Sequence, residues 1–122
     1  MIFEILAAVH LLSRMPVTPF GEELQKVRCT CYLPTGNKTA DGTIPYEGIC
    51  ASNRDHLGDV AVLYSVDGEF IGFFECRDIG GNRKLRNGTA IDIYRDSMDR
   101  AWEWVGEWGD YVYVYWIEGV DG

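Results

Sequence analysis

Along most of the chain, apolar residues come in short runs separated by glycines and polar residues, a pattern that predicts many turns and a mainly β protein. The runs Val27–Leu33, Ile49–Ser52, Val60–Tyr64, Phe70–Arg77, Ala90–Tyr94 and Tyr111–Ile117 read as strands. Asp67-Gly68, inside the connection Val66–Glu69, predicts a tight hairpin joining the third run to the fourth. Residues 34–48 hold three glycines and two prolines among few apolar residues, and read as a long loop of functional type. The period changes twice. Ile2, Ile5, Leu6, Val9 and Leu12 recur at helical spacing and predict an amphipathic helix ended by Pro16 and Pro19. Met98, Ala101, Trp102 and Val105 do the same within a helix over 96–107, with Asp96 as its N-cap and Gly106 or Gly109 as its stop. That face would carry Trp102 into the core and leave Trp104 and Trp108 as exposed aromatics.

At 122 residues and 47% hydrophobic content the chain has material for one domain with one core. A formal net charge of −8 argues against nucleic acid as a partner, because phosphate neutralisation needs an excess of Lys and Arg. A neutral polymer or a small ligand fits better. Basic residues gather at Arg77, Arg83, Lys84 and Arg86, either as a local field or as a solvated loop. The apolar run 5–12 is too short to span a membrane, and with Glu4 and no basic n-region it makes a poor signal peptide. Cys29, Cys31, Cys50 and Cys76 match neither a zinc ribbon nor a redox pair; bridges to Cys50 or Cys76 and buried free thiols both stay open. His10 and His56 stand alone, no metal site is expected, and no motif implies an organic cofactor.

The candidate chemistry lies in 76–94, where Asp78 and Asp92 sit at the ends of two apolar runs with a glycine-rich, basic loop between them. A carboxylate framed by Ile91 and Ile93 is expensive to bury, so it needs either a hydrogen bond or a reaction. Burial and the like charge of Asp78 would both raise its pKa.

Thr30–Tyr32, Thr39-Ala-Asp-Gly42, Ile49-Cys-Ala51, Leu57-Gly58, Asp78-Ile-Gly-Gly81, Leu85-Arg-Asn-Gly88, Ile91-Asp-Ile-Tyr94 and Tyr111–Tyr115 follow one another in the order of the 3D (triple-aspartate) domain, which the chain resembles over about residues 27–117. That domain is found in membrane-bound lytic transglycosylase A and in stationary-phase survival proteins of firmicutes, and is related to RlpA and the expansins. The resemblance implies a six-stranded double-psi β-barrel over 27–118, with one helix before the last strand. An added N-terminal helix and connector would occupy 1–26, and a tail 119–122. It implies a groove for peptidoglycan glycan strands, with Asp92 as acid/base and Asp78 tuning or hydrogen-bonding it. Tyr32, Thr39, Asp41, Asn53, Asp55, Gly80 and Gly81 would bind substrate in the groove, Thr39 as a donor. The family's third aspartate is replaced by Asn53, with Asp55 near enough to stand in, and the loop through Asn82–Lys84 is longer than usual.

Three functions follow as expectations. The first is a lytic transglycosylase that cleaves the MurNAc-GlcNAc β-1,4 bond, exported to the cell wall or encoded by a phage and cytoplasmic. The second is a non-catalytic glycan-binding module of the expansin type. The third is a protein–protein interaction barrel. Asp78, followed by Gly80 and Gly81, also has a purely structural reading, in which it holds backbone amides of a crossed loop.

Overall fold

A computed structural model describes residues 23–119; the helix expected near the N-terminus and the end of the tail lie outside them. Among the described residues the protein is mainly β. Strands β1 (Gln25–Tyr32), β2 (Ile49–Ser52), β3 (Val60–Ser65), β4 (Phe70–Ile79), β5 (Ala90–Tyr94) and β6 (Tyr111–Ile117) close into one mixed six-stranded barrel in the order β1-β5-β2-β4-β3-β6. β1 and β5 pair in parallel, as do β2 and β4, while every other neighbour is antiparallel. Exchanging β1 with β4, β2 with β5 and β3 with β6 maps this order and its parallel pairs onto themselves.

The strands form where alternate residues can be buried. Val27 and Cys29 of β1, Ile91 and Ile93 of β5, and Val112 and Val114 of β6 point into the barrel. Cys50, Ala61, Leu63 and Cys76 complete the interior. Small side chains suit so narrow a barrel, whose inside must be filled by the strands themselves. Each fully buried isoleucine contributes about 1.5–3 kcal/mol. All four cysteines are free thiols.

β2, β5 and β6 occupy the residues that the sequence predicts. β4 runs two residues further, to Ile79, because β2 lies parallel beside it and pairs Ala51 with Asp78 and Ser52 with Ile79. Asp78 is therefore a strand residue rather than the first of a loop. β3 and β4 form the expected antiparallel pair across the expected connection Val66–Glu69. Gly68 there takes a φ of 89° and Ser65 Oγ accepts from the amides of Asp67 and Glu69.

The expected loop 78–88 contains a short helix, α1 (Arg83–Arg86), capped by Asn82 Oδ1, which accepts from Leu85 N at 3.0 Å. Leu85 is its anchor and packs so tightly on Gly80 that a Cβ there would lie 2.1 Å from the Leu85 Cβ.

The long helix is α2 (Met98–Trp108), and two expectations about it fail. Its N-cap is Ser97, whose hydroxyl accepts from Arg100 N at 3.2 Å, whereas Asp96 sits one residue too early and pairs with Arg100 through its side chain. The buried face is also different: Trp104 is 5% exposed and meets Phe74 edge to face, with Trp108 beside it, while Trp102 is 66% and Met98 56% exposed. Two tryptophans four residues apart bury more aromatic surface than the stripe through Trp102, and that difference sets the rotation of the helix.

Candidate active site

The inward residues of β1 and β5 dictate what points outward. With Cys29, Ile91 and Ile93 in the core, Thr30, Tyr32 and Asp92 must lie on the outer face of the barrel. Register then lines up one row across four strands. Thr30 of β1 stands beside Asp92 of β5, Asp92 beside Ala51 of β2, and Ala51 beside Asp78 of β4. The small side chain of Ala51 separates the two carboxylates, whose Cα atoms are two strand spacings, about 10 Å, apart. Ile91 and Ile93 do not enclose Asp92 directly, since they point the other way.

Asp92 is half-buried. Thr30 Oγ1 donates to its Oδ1 at 2.9 Å, and among the described residues no donor is placed on Oδ2. Desolvation pushes its pKa from 3.8 up to about 6; the Thr30 hydrogen bond works against the rise and the charge of Asp78 adds to it. One step along the same face, Tyr32 and Tyr94 pair in register with their rings edge to face at 5.4 Å. The Tyr32 hydroxyl is buried and makes no hydrogen bond. Burial, reinforced by the charges of Asp78 and Asp92, raises its pKa, so it remains a neutral donor beside two carboxylates. A buried phenol without an acceptor is costly and calls for an explanation.

Asp78 is differently occupied. Its Oδ1 accepts from Ala40 N at 3.0 Å and from Ile79 N at 2.9 Å, which ties the loop 33–48 to the end of β4. It does not hydrogen-bond Asp92 and acts on it only through charge. The same loop is fastened from within. Thr39, 6% exposed, donates to Asp41 at 2.6 Å and accepts from Thr43 N at 3.0 Å. Burial alone would raise the Asp41 pKa, but hydrogen bonds from Thr39, Thr43 and Arg77 bring it down to about 2. Arg77 joins Asp41 to Glu75, and Arg95 holds Glu47 at 2.9 Å.

The expected site residues therefore divide. Asp92, Asp78 and Tyr32 come together. Thr39 and Asp41 build the loop that Asp78 anchors, so Thr39 spends its donor on Asp41. Asn53 Oδ1 caps the 3-10 turn Arg54–His56 by accepting from His56 N, and Asp55 is exposed on that turn. Gly80 is buried under Leu85, and Gly81 offers its carbonyl to Arg86 at 2.7 Å. Of the basic residues expected to cluster at 77–86, Arg77 is committed to Asp41 and Glu75 and Arg86 to the Gly81 carbonyl.

Sequence reasoning passed over Thr30 and Tyr94 as site residues. Alternation on β1 and β5 marks both as outward, but only the parallel pairing of the two strands puts Thr30 on Asp92.

Among the described residues no cluster of three or more His, Cys, Asp or Glu could hold a metal ion, and no helix is long and apolar enough to cross a membrane. Burial lifts the Cys29 and Cys31 thiols to about 12 and about 11, so neither is a ready nucleophile. Comparison of the chain with protein-family models, curated proteins and solved structures gives no match.

Proposed function

We propose that this barrel acts on peptidoglycan as a lytic transglycosylase of the 3D-domain type, with Asp92 as its single acid/base. The observation that carries the reading is the state of that carboxyl. It is outward-facing, held by Thr30 on one oxygen, and raised to about 6 by desolvation. Near pH 6 about half of the molecules hold the proton, which suits a group that must first give it and then take one back. Neutral Asp92 would protonate the glycosidic oxygen as the bond to C1 breaks. The resulting carboxylate would then take the C6 hydroxyl proton while that oxygen closes on C1, giving a 1,6-anhydro ring without water. One carboxyl suffices for this cycle, unlike the two that hydrolysis requires.

Tyr32 would line the groove one step along the face from Asp92. Asp78 would be a positioning residue that holds the loop 33–48 and keeps the Asp92 pKa high. The fold is read as a double-psi barrel because each parallel pair interlocks with the other through β2 and β5, in the two-fold arrangement described above. A second reading, a glycan-binding module without turnover, is favoured by one observation: Asn53 spends its side-chain oxygen on a turn amide and carries no charge.

Mass spectrometry of soluble muropeptides decides between them. Purified peptidoglycan incubated with the wild-type protein yields anhydromuropeptides, and with Asp92→Asn it yields none. Wall that is bound by both proteins and cleaved by neither refutes catalysis and leaves the binding module.

A further inference from the structure

We infer that a cavity on the outer face of β1 binds an anionic substituent, a carboxylate or a phosphate, carried by the glycan that passes Asp92. The inference rests on the reading of Asp92 as a glycan-cleaving group. The cavity has a volume of about 410 Å³ and is lined by Lys26, Arg28, Lys84, Thr89 and Tyr111. Val27 and Cys29 point inward, so Lys26 and Arg28 share the outer face with Thr30 and Tyr32. Register brings Tyr111 of β6 beside Arg28, and the Arg28 amide donates to the Thr89 carbonyl at 3.1 Å.

Three cations therefore converge in a chain with 19 acidic and 11 basic residues. Arg77, Arg95 and Arg100 are each paired with a carboxylate, whereas among the described residues Lys26, Arg28 and Lys84 have no acidic partner. The Lys26 ammonium lies over the Tyr111 ring, 5.3 Å from its centre, which positions the charge without neutralising it. A guanidinium flanked by two ammonium groups matches the oxygens of a carboxylate or phosphate. The volume lies in the range of small-molecule pockets, so the anion enters with the unit that bears it.

Arg28 stands two residues from Thr30, about 7 Å along the strand, and Thr30 holds the acid/base. A glycan lying over Asp92 reaches the cavity within a sugar unit or two.

Two experiments on the full chain test this. In the first, amide NMR follows titration with inorganic phosphate and with acetate, using sodium chloride at matched ionic strength as the control. Saturable shifts centred on Lys26, Arg28 and Lys84, with a dissociation constant of roughly 1 mM, are expected. The Arg28→Gln, Lys84→Gln double variant should weaken binding about tenfold or more. Lys84 is exposed and Arg28 half-buried on the outer face, and an unchanged melting midpoint will show that the variant folds. Shifts reproduced by chloride, or unaltered in the variant, overturn the site.

In the second, Asp92→Asn protein is sedimented with purified peptidoglycan, either native or with its carboxyl groups amidated. About tenfold weaker binding to amidated wall is expected, with the preference lost when the two charge-removing substitutions are added. Equal binding to both walls overturns the glycan-borne ligand and leaves a site for free anions. No anion binding alongside normal wall cleavage overturns the inference and spares the acid/base reading. Saturable anion binding with no wall binding or cleavage removes the acid/base reading, and with it the glycan as carrier.

Discussion

Replacing Asp92 by Asn should abolish turnover and at the same time stabilise the protein, but only above the acid range. In the folded state the carboxyl titrates at about 6, against an ordinary value of 3.8. A folded pKa above the unfolded one means that the native state binds the extra proton between those values, so the group costs stability as pH rises through the window. Below about pH 3.8 both states hold the proton and the cost vanishes; above about pH 6 it is complete. A rise from 3.8 to about 6 corresponds to about 3 kcal/mol, and solvent screening at a half-buried position trims this to about 1–3 kcal/mol. Asparagine keeps the hydrogen bond, because its Oδ1 accepts from Thr30 as the carboxylate does. Urea unfolding at about pH 4 should therefore show wild type and Asp92→Asn within about 0.5 kcal/mol, and at about pH 7.5 the variant should be about 1–3 kcal/mol more stable. Thermal midpoints should separate by roughly 4–12 °C at the higher pH. A difference that stays constant across pH would refute the reasoning, since it would mean that Asp92 titrates like a solvated carboxylate and is not poised as an acid.

Asp78→Asn should retain both amide contacts, cost less than about 1 kcal/mol, and lower the Asp92 pKa by removing the like charge; a carboxyl-observed NMR titration of Asp92 reads the change. Gly80→Ala should destabilise by about 1–3 kcal/mol in urea unfolding, because the new methyl group collides with Leu85. Ser97→Ala should cost about 1 kcal/mol and Asp96→Ala clearly less, which thermal melts of the two variants compare directly. Trp104→Ala should lose about 3–5 kcal/mol while Trp102→Ala changes stability by less than about 0.5 kcal/mol, and equal losses would show that the helix face is assigned wrongly.

The barrel was legible wherever a strand is long enough to declare itself and both faces agree. Ala90–Tyr94 and Tyr111–Ile117 are nearly continuous apolar or aromatic runs, and no competing helical pattern explains them. What the pattern leaves open is any choice settled by a neighbour remote in sequence. β4 extends over Asp78 because β2 supplies a ladder for it, and α1 is one turn held by Leu85 in the notch that Gly80 leaves open. Helix α2 carries two apolar stripes, one through Trp102 and one through Trp104 and Trp108, and periodicity alone cannot rank them. Phe74 ranks them by offering its ring to Trp104.

The candidate site follows the same division. Asp78 and Asp92 stood out because each is a carboxylate beside an apolar run, and that signal is local. Their difference in role is not local. Asp78 ends a strand that a loop must cross, so backbone amides reach it and satisfy it. Asp92 lies in the middle of a strand whose own amides are used by the sheet, so only a neighbouring side chain can reach it, and Thr30 supplies one bond where Asp78 receives two. Desolvation, opposed by a single hydrogen bond, is what raises the Asp92 pKa. Strand position thus limits what opposes that rise, through the parallel pairing that sets Thr30 rather than a backbone amide beside the carboxyl. Moving the hydroxyl tests that step by itself. Thr30→Val removes the one donor that lowers the pKa, so it should raise the Asp92 pKa further and shift the alkaline limb of any muropeptide-release profile upward in pH. A shift in the opposite direction would place the control of this carboxyl elsewhere.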